Sequence, residues 1–203
     1  MTTAKSNVVP HLGHVATAQR ARRLCQQPLT VWLTGLSGAG KSTLAYALED
    51  RLFQAGFLPY VLDGDNIRHG LSSDLGFSES DRTENIRRVA EAAALMNDAG
   101  LIVVTAFISP LRSDRAMARR IIGAAFVEVH VAAPLVVCEA RDPKGLYRKA
   151  RRGEIPDFTG ISAPYEAPDN ADLVVATDQL SIDDACEAVM RVVAARARSG
   201  SAT

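Results

Sequence analysis

Short apolar runs recur along the chain, and between them the apolar residues fall three and four positions apart. The runs are "LTVWLTG" (29–35), "YVLDG" (60–64), "LIVVTAF" (101–107), "FVEVHVA" (126–132) and "ADLVVAT" (171–177). Most are apolar at nearly every position, as a parallel strand covered on both faces would be. Helical spacing fills the gaps. "KSTLAYALEDRLFQAG" ends at Gly56, "ESDRTENIRRVAEAAALMNDAG" ends at Gly100, and a last helix covers about 181–197. Both glycines suit the position just past a helix, where the backbone often turns left-handed. Ser78 and Asp81 stand at capping-box spacing ahead of the second apolar stripe. Strand–helix alternation five times over predicts an α/β fold: a doubly wound, mainly parallel five-stranded sheet flanked by helices.

Two stretches interrupt this alternation. Residues 1–27 are polar and rich in Ala and Arg, and read as an N-terminal arm or short helix outside the sheet, leaving 28–203 as the main domain. Residues 142–170 carry four prolines, three glycines and a basic cluster. A segment that long inside a compact domain reads as a functional lid or as disorder.

Composition narrows the classes. A chain of 203 residues holds one well-buried core. Its 23 basic and 23 acidic residues cancel, so no nucleic-acid partner is expected and any anion recognition must be local. Cys25, Cys138 and Cys186 are odd in number and far apart, which suits a reducing compartment and offers no zinc site. The opening residues lack the apolar core of a secretory signal, and no apolar run reaches membrane-spanning length. A cytoplasmic protein without a membrane partner is the expectation.

The sharpest local signal is "GLSGAGKST" at 35–43, which fits G-x-x-x-x-G-K-[ST] and lies between a strand and a helix. Gly35, Leu36, Ser37, Gly38, Ala39, Gly40, Lys41, Ser42 and Thr43 therefore read as a cradle for nucleotide phosphates at a helix N-terminus. Lys41 would bring a positive charge to them and the Ser42 hydroxyl a ligand for Mg²⁺. Motor and switch ATPases of this type end a strand in a metal-holding acid, and neither "LIVVTAF" nor "FVEVHVA" does so. Asp142-Pro-Lys-Gly145 has the D-x-x-G spacing of GTPases, but no N-K-x-D accompanies it and it does not directly follow a strand. A small-molecule kinase remains, with its acid supplied from elsewhere.

Asp63 at the end of the second strand is the natural supplier, because ligands of doubly wound sheets bind beyond the carboxyl ends of the strands. A carboxylate of ordinary pKa, about 3.9, is a weak base for a sugar hydroxyl. In a loose phosphoryl-transfer transition state, however, orienting the hydroxyl matters more than early proton removal. Asp63 can do that or hold the metal. Asp65 is a second candidate; for both, an Asp-Gly turn or helix cap is the competing reading. Arg68, Arg82, Arg87, Arg88 and Arg112 all follow strand ends and imply an anionic acceptor. Arg82 and Asn85, three apart near a helix start, project from one face. A solvated helix face competes for Arg87 and Arg88. Phe77 and Phe158 sit in loops, where an aromatic ring either clamps a flat base, at roughly 1–3 kcal/mol per stack, or plugs the core. The residues alone leave both open.

In order along the chain, "GLSGAGKST", "DGDNIRHGL", "DLGFSESDRTENIRR", "AFISPLR" and "RDPKGLYRKARRGEIPDFTGI…PYEAP" resemble the adenylylsulfate kinase family over about residues 28–197. The resemblance implies ATP and Mg²⁺ as co-substrate and cofactor, with phosphoryl transfer to the 3′-hydroxyl of adenosine 5′-phosphosulfate. It implies that Asp63 orients that hydroxyl and that Arg68, Arg82 and Asn85 contact the acceptor nucleotide. Phe77 and Phe158 would sandwich its adenine, and Ile108 and Ser109 would line the same pocket. The family's serine at the Ser109 position is often described as a phosphorylated intermediate. In-line transfer needs no covalent stop, and a serine there can hydrogen-bond substrate instead. Lys144 would reach the ATP phosphates from the lid and Arg141 the ATP adenine. Asp63, Lys41, Ser109 and Lys144 are thus the candidate catalytic residues. A homodimer and association with ATP sulfurylase belong to the same expectation. Two departures stand out: Leu111 where the family usually has tyrosine, and Pro156-Asp157 where a basic residue and glycine are common.

Overall fold

Strands that are apolar on both faces can be buried only between two layers of helices. The computed structural model, which describes residue 11 and residues 13–197, has that arrangement. Strands β1 (Leu29–Thr34), β2 (Pro59–Asp63), β3 (Ile102–Ala106), β4 (Phe126–Ala132) and β5 (Leu173–Ala176) form one parallel sheet in the order β2-β3-β1-β4-β5. In the central register Val31 lies opposite Val104 on one side and Val127 on the other. Every residue of β1 and β3 is buried, which explains their unbroken apolar pattern.

One face of the sheet is covered by α2 (Lys41–Gln54), α6 (Leu135–Arg141), α7 (Leu146–Arg151) and α8 (Ile182–Ala197). Leu44, Leu48 and Leu52 make one stripe of α2 and are fully buried, each contributing roughly 1.5–3 kcal/mol. The other face packs on α4 (Glu79–Asp98) and α5 (Arg112–Ile122) around Trp32. The Trp32 ring lies 6.1 Å from Phe107 and 5.6 Å from Phe126, between centroids.

Among the helices that the sequence reading did not name, α3 (Gly64–His69) and α7 are the shortest, with six residues each. In α3 no residue is buried, so the element leaves no periodicity to read. The strand before it ends at Asp63, one residue earlier than expected, because Asp63 caps α3, accepting from the Asp65 N–H at 3.0 Å. The second, α7, lies inside the expected lid. The Asp142 carboxylate receives the N–H groups of Tyr147 (3.0 Å) and Arg148 (3.1 Å), so the D-x-x-G match is a helix cap. At α4 only half of the expected capping box forms. Ser78 accepts from the Asp81 N–H (3.2 Å), while the Asp81 carboxylate takes the Ser78 hydroxyl rather than a backbone N–H.

The described part of the N-terminal segment forms α1 (Thr17–Leu24), which docks against the end of α4. Arg20 pairs with Asp98 at 3.1 Å, and Leu24 and Arg20 crowd the Gly100 Cα so closely that a Cβ there would lie 2.9 Å from Leu24. Gln26 is buried; its amide donates to the Gly100 carbonyl and accepts from the Leu58 N–H, both at 2.7 Å. On the outer edge of β2 the Val61 N–H donates to Glu49 Oε1 of α2 at 3.0 Å. No helix among the described residues is long and apolar enough to cross a membrane.

Candidate active site

The loop between β1 and α2 is shaped by close backbone approaches. A Cβ on Gly35 would fall 2.4 Å from the Val131 carbonyl oxygen, and one on Gly38, at φ +74°, would fall 2.9 Å from that of Cys138. Only glycine fits either place. Lys41 opens α2 with its ammonium turned back into the loop, donating to the carbonyls of Gly35 (2.9 Å) and Leu36 (2.8 Å). Burial lowers its pKa from 10.5 to about 8, with the nearby Cys138 and Asp63 offsetting part of the effect. The next residue, Ser42, donates its hydroxyl to Asp63 Oδ2 at 2.6 Å. The acid expected from β2 therefore meets the cradle directly.

These groups border one cavity of about 1030 Å³, at the upper limit for a single drug-sized ligand. On the side of α2 and β5 it is lined by Ser37, Gly38, Gly40, Lys41, Ser42, Thr43 and Arg141, together with Thr177, Leu180 and Ile182. The Arg141 guanidinium is pinned by the carbonyls of Thr177 (2.7 Å) and Gly38 (3.3 Å). Asp63 and Asp65 stand mid-cavity with Lys144, which pairs with the Asp65 carboxylate from the lid. Beyond them the wall consists of Arg68, Phe77, Arg82, Asn85, Ile108, Ser109 and Phe158. Of the expected residues, Gly35, Leu36 and Ala39 do not line the space: Gly35 abuts Val131, Ala39 is fully buried, and Leu36 packs under Gly160.

The arginines separate cleanly. Arg87 and Arg88 both pair with Glu84, Arg88 also with Asp74, and Arg112 pairs with Asp169. None of the three faces the cavity. Arg68 and Arg82 do, and burial first, then the neighbouring Arg82, lowers the pKa of Arg68. Two cations held close in a partly buried wall favour an anion. Arg82 also spans three backbone and side-chain acceptors: the Phe77 carbonyl (2.9 Å), Thr159 Oγ1 (2.9 Å) and the Asp157 carbonyl (2.6 Å). Asn85 is buried with its Oδ1 unpartnered, an acceptor left for something that enters the cavity.

Phe158 takes up the core-plugging reading and at the same time borders the cavity. It joins the core, edge-on to Tyr147 at 5.1 Å, and also lines the cavity. Phe77 is 67% exposed and so plugs nothing; the Arg68 guanidinium lies 4.3 Å from its ring centroid. Ser109 is buried at φ +39°, its hydroxyl accepting from Trp32 Nε1 at 3.2 Å. The departures are placed as well. Asp157 sits at φ +52°, a backbone region that favours glycine, and Leu111 precedes α5 outside the cavity. Thr177, Thr159 and Tyr147, whose hydroxyl donates to the Ser37 carbonyl (2.9 Å), escaped the sequence reading. Only Thr177 left a signal, standing at the carboxyl end of a strand.

The oxygen donors Ser42 and Asp63 suit a hard cation that keeps waters and phosphate oxygens as its other ligands, which fits Mg²⁺. No cluster of three or more His, Cys, Asp or Glu among the described residues offers a metal cage of its own.

Comparison with known proteins agrees with this geometry. The family model for adenylylsulphate kinase matches residues 27–176. The adenylyl-sulfate kinase of Shewanella oneidensis is 62% identical over 175 residues, covering 86% of this chain and 85% of that protein. A probable adenylyl-sulfate kinase of Halalkalibacterium halodurans is 54% identical over 189 residues, covering 93% of this chain and 94% of that protein. Among solved structures, the Mycobacterium tuberculosis APS kinase CysC in complex with AMPPNP and APS superposes with a TM-score of 0.79 at 50% identity. It covers 82% of this chain and 97% of that one. A match across most of the folded chain, on a site with the acid, the cradle and the paired cations in place, leaves one conclusion: the chain belongs to the adenylylsulphate kinase family.

Proposed function

We propose that the protein transfers the γ-phosphoryl group of ATP to the 3′-hydroxyl of adenosine 5′-phosphosulfate, giving ADP and 3′-phosphoadenylylsulfate, in sulfate assimilation. The observation that carries this reading is the contact of Asp63 Oδ2 with Ser42 Oγ, at the join between a phosphate cradle and an arginine-lined pocket. ATP would lie along the α2 and β5 side, with its adenine beside Arg141 and its phosphates reaching Lys41. Lys41 would exchange the Gly35 and Leu36 carbonyls for phosphate oxygens, recovering the charge that burial weakens. The acceptor would lie on the far side, its phosphosulfate facing Arg68 and Arg82, its base meeting Phe77 and Phe158, and a polar edge meeting Asn85 Oδ1. Its 3′-hydroxyl would then point toward Asp63.

Orientation is the larger contribution in a loose phosphoryl transfer. Asp63 accepts the hydroxyl proton as charge leaves the γ-phosphoryl, and its tie to the Asp65 N–H keeps the carboxylate aimed. Lys144 sits in the lid where it can follow the charge from Asp65 to the phosphates. Mg²⁺ would be held by Ser42 and Asp63 and would supply positive charge to offset that of the phosphates. The test is ADP release with adenosine 5′-phosphosulfate set against gluconate and nucleosides as acceptors. Turnover should require the sulfated nucleotide. Asp63→Ala and Lys41→Ala should each lower kcat by roughly 10²–10⁴-fold. Equal turnover of gluconate, or an active Asp63→Ala enzyme, would reject the assignment.

A further inference from the structure

Behind the acceptor wall lies a guanidinium that does not itself face the cavity. Arg115, in the first turn of α5, is 3% exposed, and each of its three guanidinium nitrogens reaches a fixed acceptor. Nε donates to Glu128 Oε1 of β4 at 2.8 Å. Nη1 donates to the carbonyls of Ser109 (2.7 Å) and Pro110 (3.2 Å), and Nη2 to that of Glu166 (2.6 Å). The preceding carbonyl, of Ile108, receives the Thr34 hydroxyl at 2.7 Å, and Tyr165 OH stands 3.1 Å from that hydroxyl. Three consecutive carbonyls, 108 to 110, are thus gripped by side chains that do not line the cavity.

That grip has a job to do. Ser109 sits at φ +39°, a conformation that residues with a side chain avoid unless their surroundings impose it. Released, the loop would relax, and the Ile108 and Ser109 side chains that line the cavity would move with it. The Glu166 contact ties the same guanidinium to the C-terminal part of the lid segment. Only a planar fork can serve these acceptors at once; an ammonium offers a single point of charge and would leave Glu128 without its Nε partner.

We propose that Arg115, seconded by Thr34, is a positioning residue for the acceptor half of the site: it sets the 108–110 wall and leaves the ATP half alone. The inference rests on the kinase reading above. Arg115→Lys, Arg115→Met and Thr34→Val are compared with the unmodified protein by steady-state kinetics and by calorimetric titration. The titrants are adenosine 5′-phosphosulfate and a non-hydrolysable ATP analogue. The acceptor KM should rise about tenfold or more in Arg115→Met and less in Arg115→Lys, with the analogue Kd within about twofold of normal. Thr34→Val, which keeps shape and loses the hydroxyl, should move the same constant in the same direction, and it carries the test should Arg115→Met not fold. Parallel losses of both affinities, or an unchanged acceptor KM in a folded variant, would overturn the proposal. Failure of the unmodified protein to phosphorylate the acceptor would instead strike the functional assignment.

Discussion

Lys41 is buried against carbonyl oxygens, and that placement makes the ammonium acid enough to matter near neutral pH. With a pKa of about 8 in the folded chain and 10.5 in the unfolded one, it is the unfolded chain that holds the extra proton between those values. Stability should therefore rise with pH across that window, and the penalty for burying the charge acts in full below it. Phosphate oxyanions reverse the preference. ATP binding at about pH 8.5 should draw in a proton, and ATP affinity should fall as pH climbs past about 8. Titration calorimetry in two buffers of different ionisation enthalpy reads the uptake directly; none at that pH would contradict the picture. A second single-residue effect lies at Asp157, whose φ of +52° strains any side chain. Asp157→Gly should stabilise the protein by about 1 kcal/mol, raising Tm by roughly 2–4 °C in a thermal melt. The Arg82 bond there goes to the backbone and survives the change. Neither effect was legible in the sequence. Lys41 announced itself by motif, but its orientation depends on carbonyls that the motif does not specify, and Asp157 showed only as a departure from a family pattern.

Elements were legible in proportion to what they bury. The five strands stand within two residues of their expected bounds because parallel strands with both faces covered are apolar throughout. The long helices α2 and α4 were readable from their stripes. By contrast, α3 and α7 have six residues each and bury none and two, respectively, too little for a period to emerge. The arginines make the same point: of five that follow strand ends, two reach the cavity, and Glu84, Asp74 and Asp169 claim the rest. Pairing partners from other elements decided that, and no spacing rule contains them. Joints between elements also rest on single side chains. Gln26→Ala would strand the buried Gly100 carbonyl and the part-buried Leu58 N–H at the seam of α1, β2 and β3, and should cost roughly 1–3 kcal/mol in denaturant unfolding. A loss well under that range would mean that water replaces the amide.

For the whole molecule, two distant stretches of chain on the Arg68–Phe158 side of the cavity are joined through Arg82, which binds the turn before α4 and the Asp157–Thr159 stretch of the lid together. Arg82→Ala should therefore do more than remove a cation from the cavity wall. Backbone hydrogen exchange over residues 153–161 should quicken in the variant, and in the unmodified protein it should slow when adenosine 5′-phosphosulfate is added. Exchange that ignores the substitution would show that the lid is held by other contacts. Another whole-molecule trait follows from the far edge of the sheet. There Glu49 already occupies the outward-facing amide of Val61, and Pro59, two residues before, has no amide hydrogen to offer. A strand from another copy would find that border closed to zippering, so crowded solutions of this enzyme are guarded on the β2 side against fibrous stacking by one carboxylate and one imino acid.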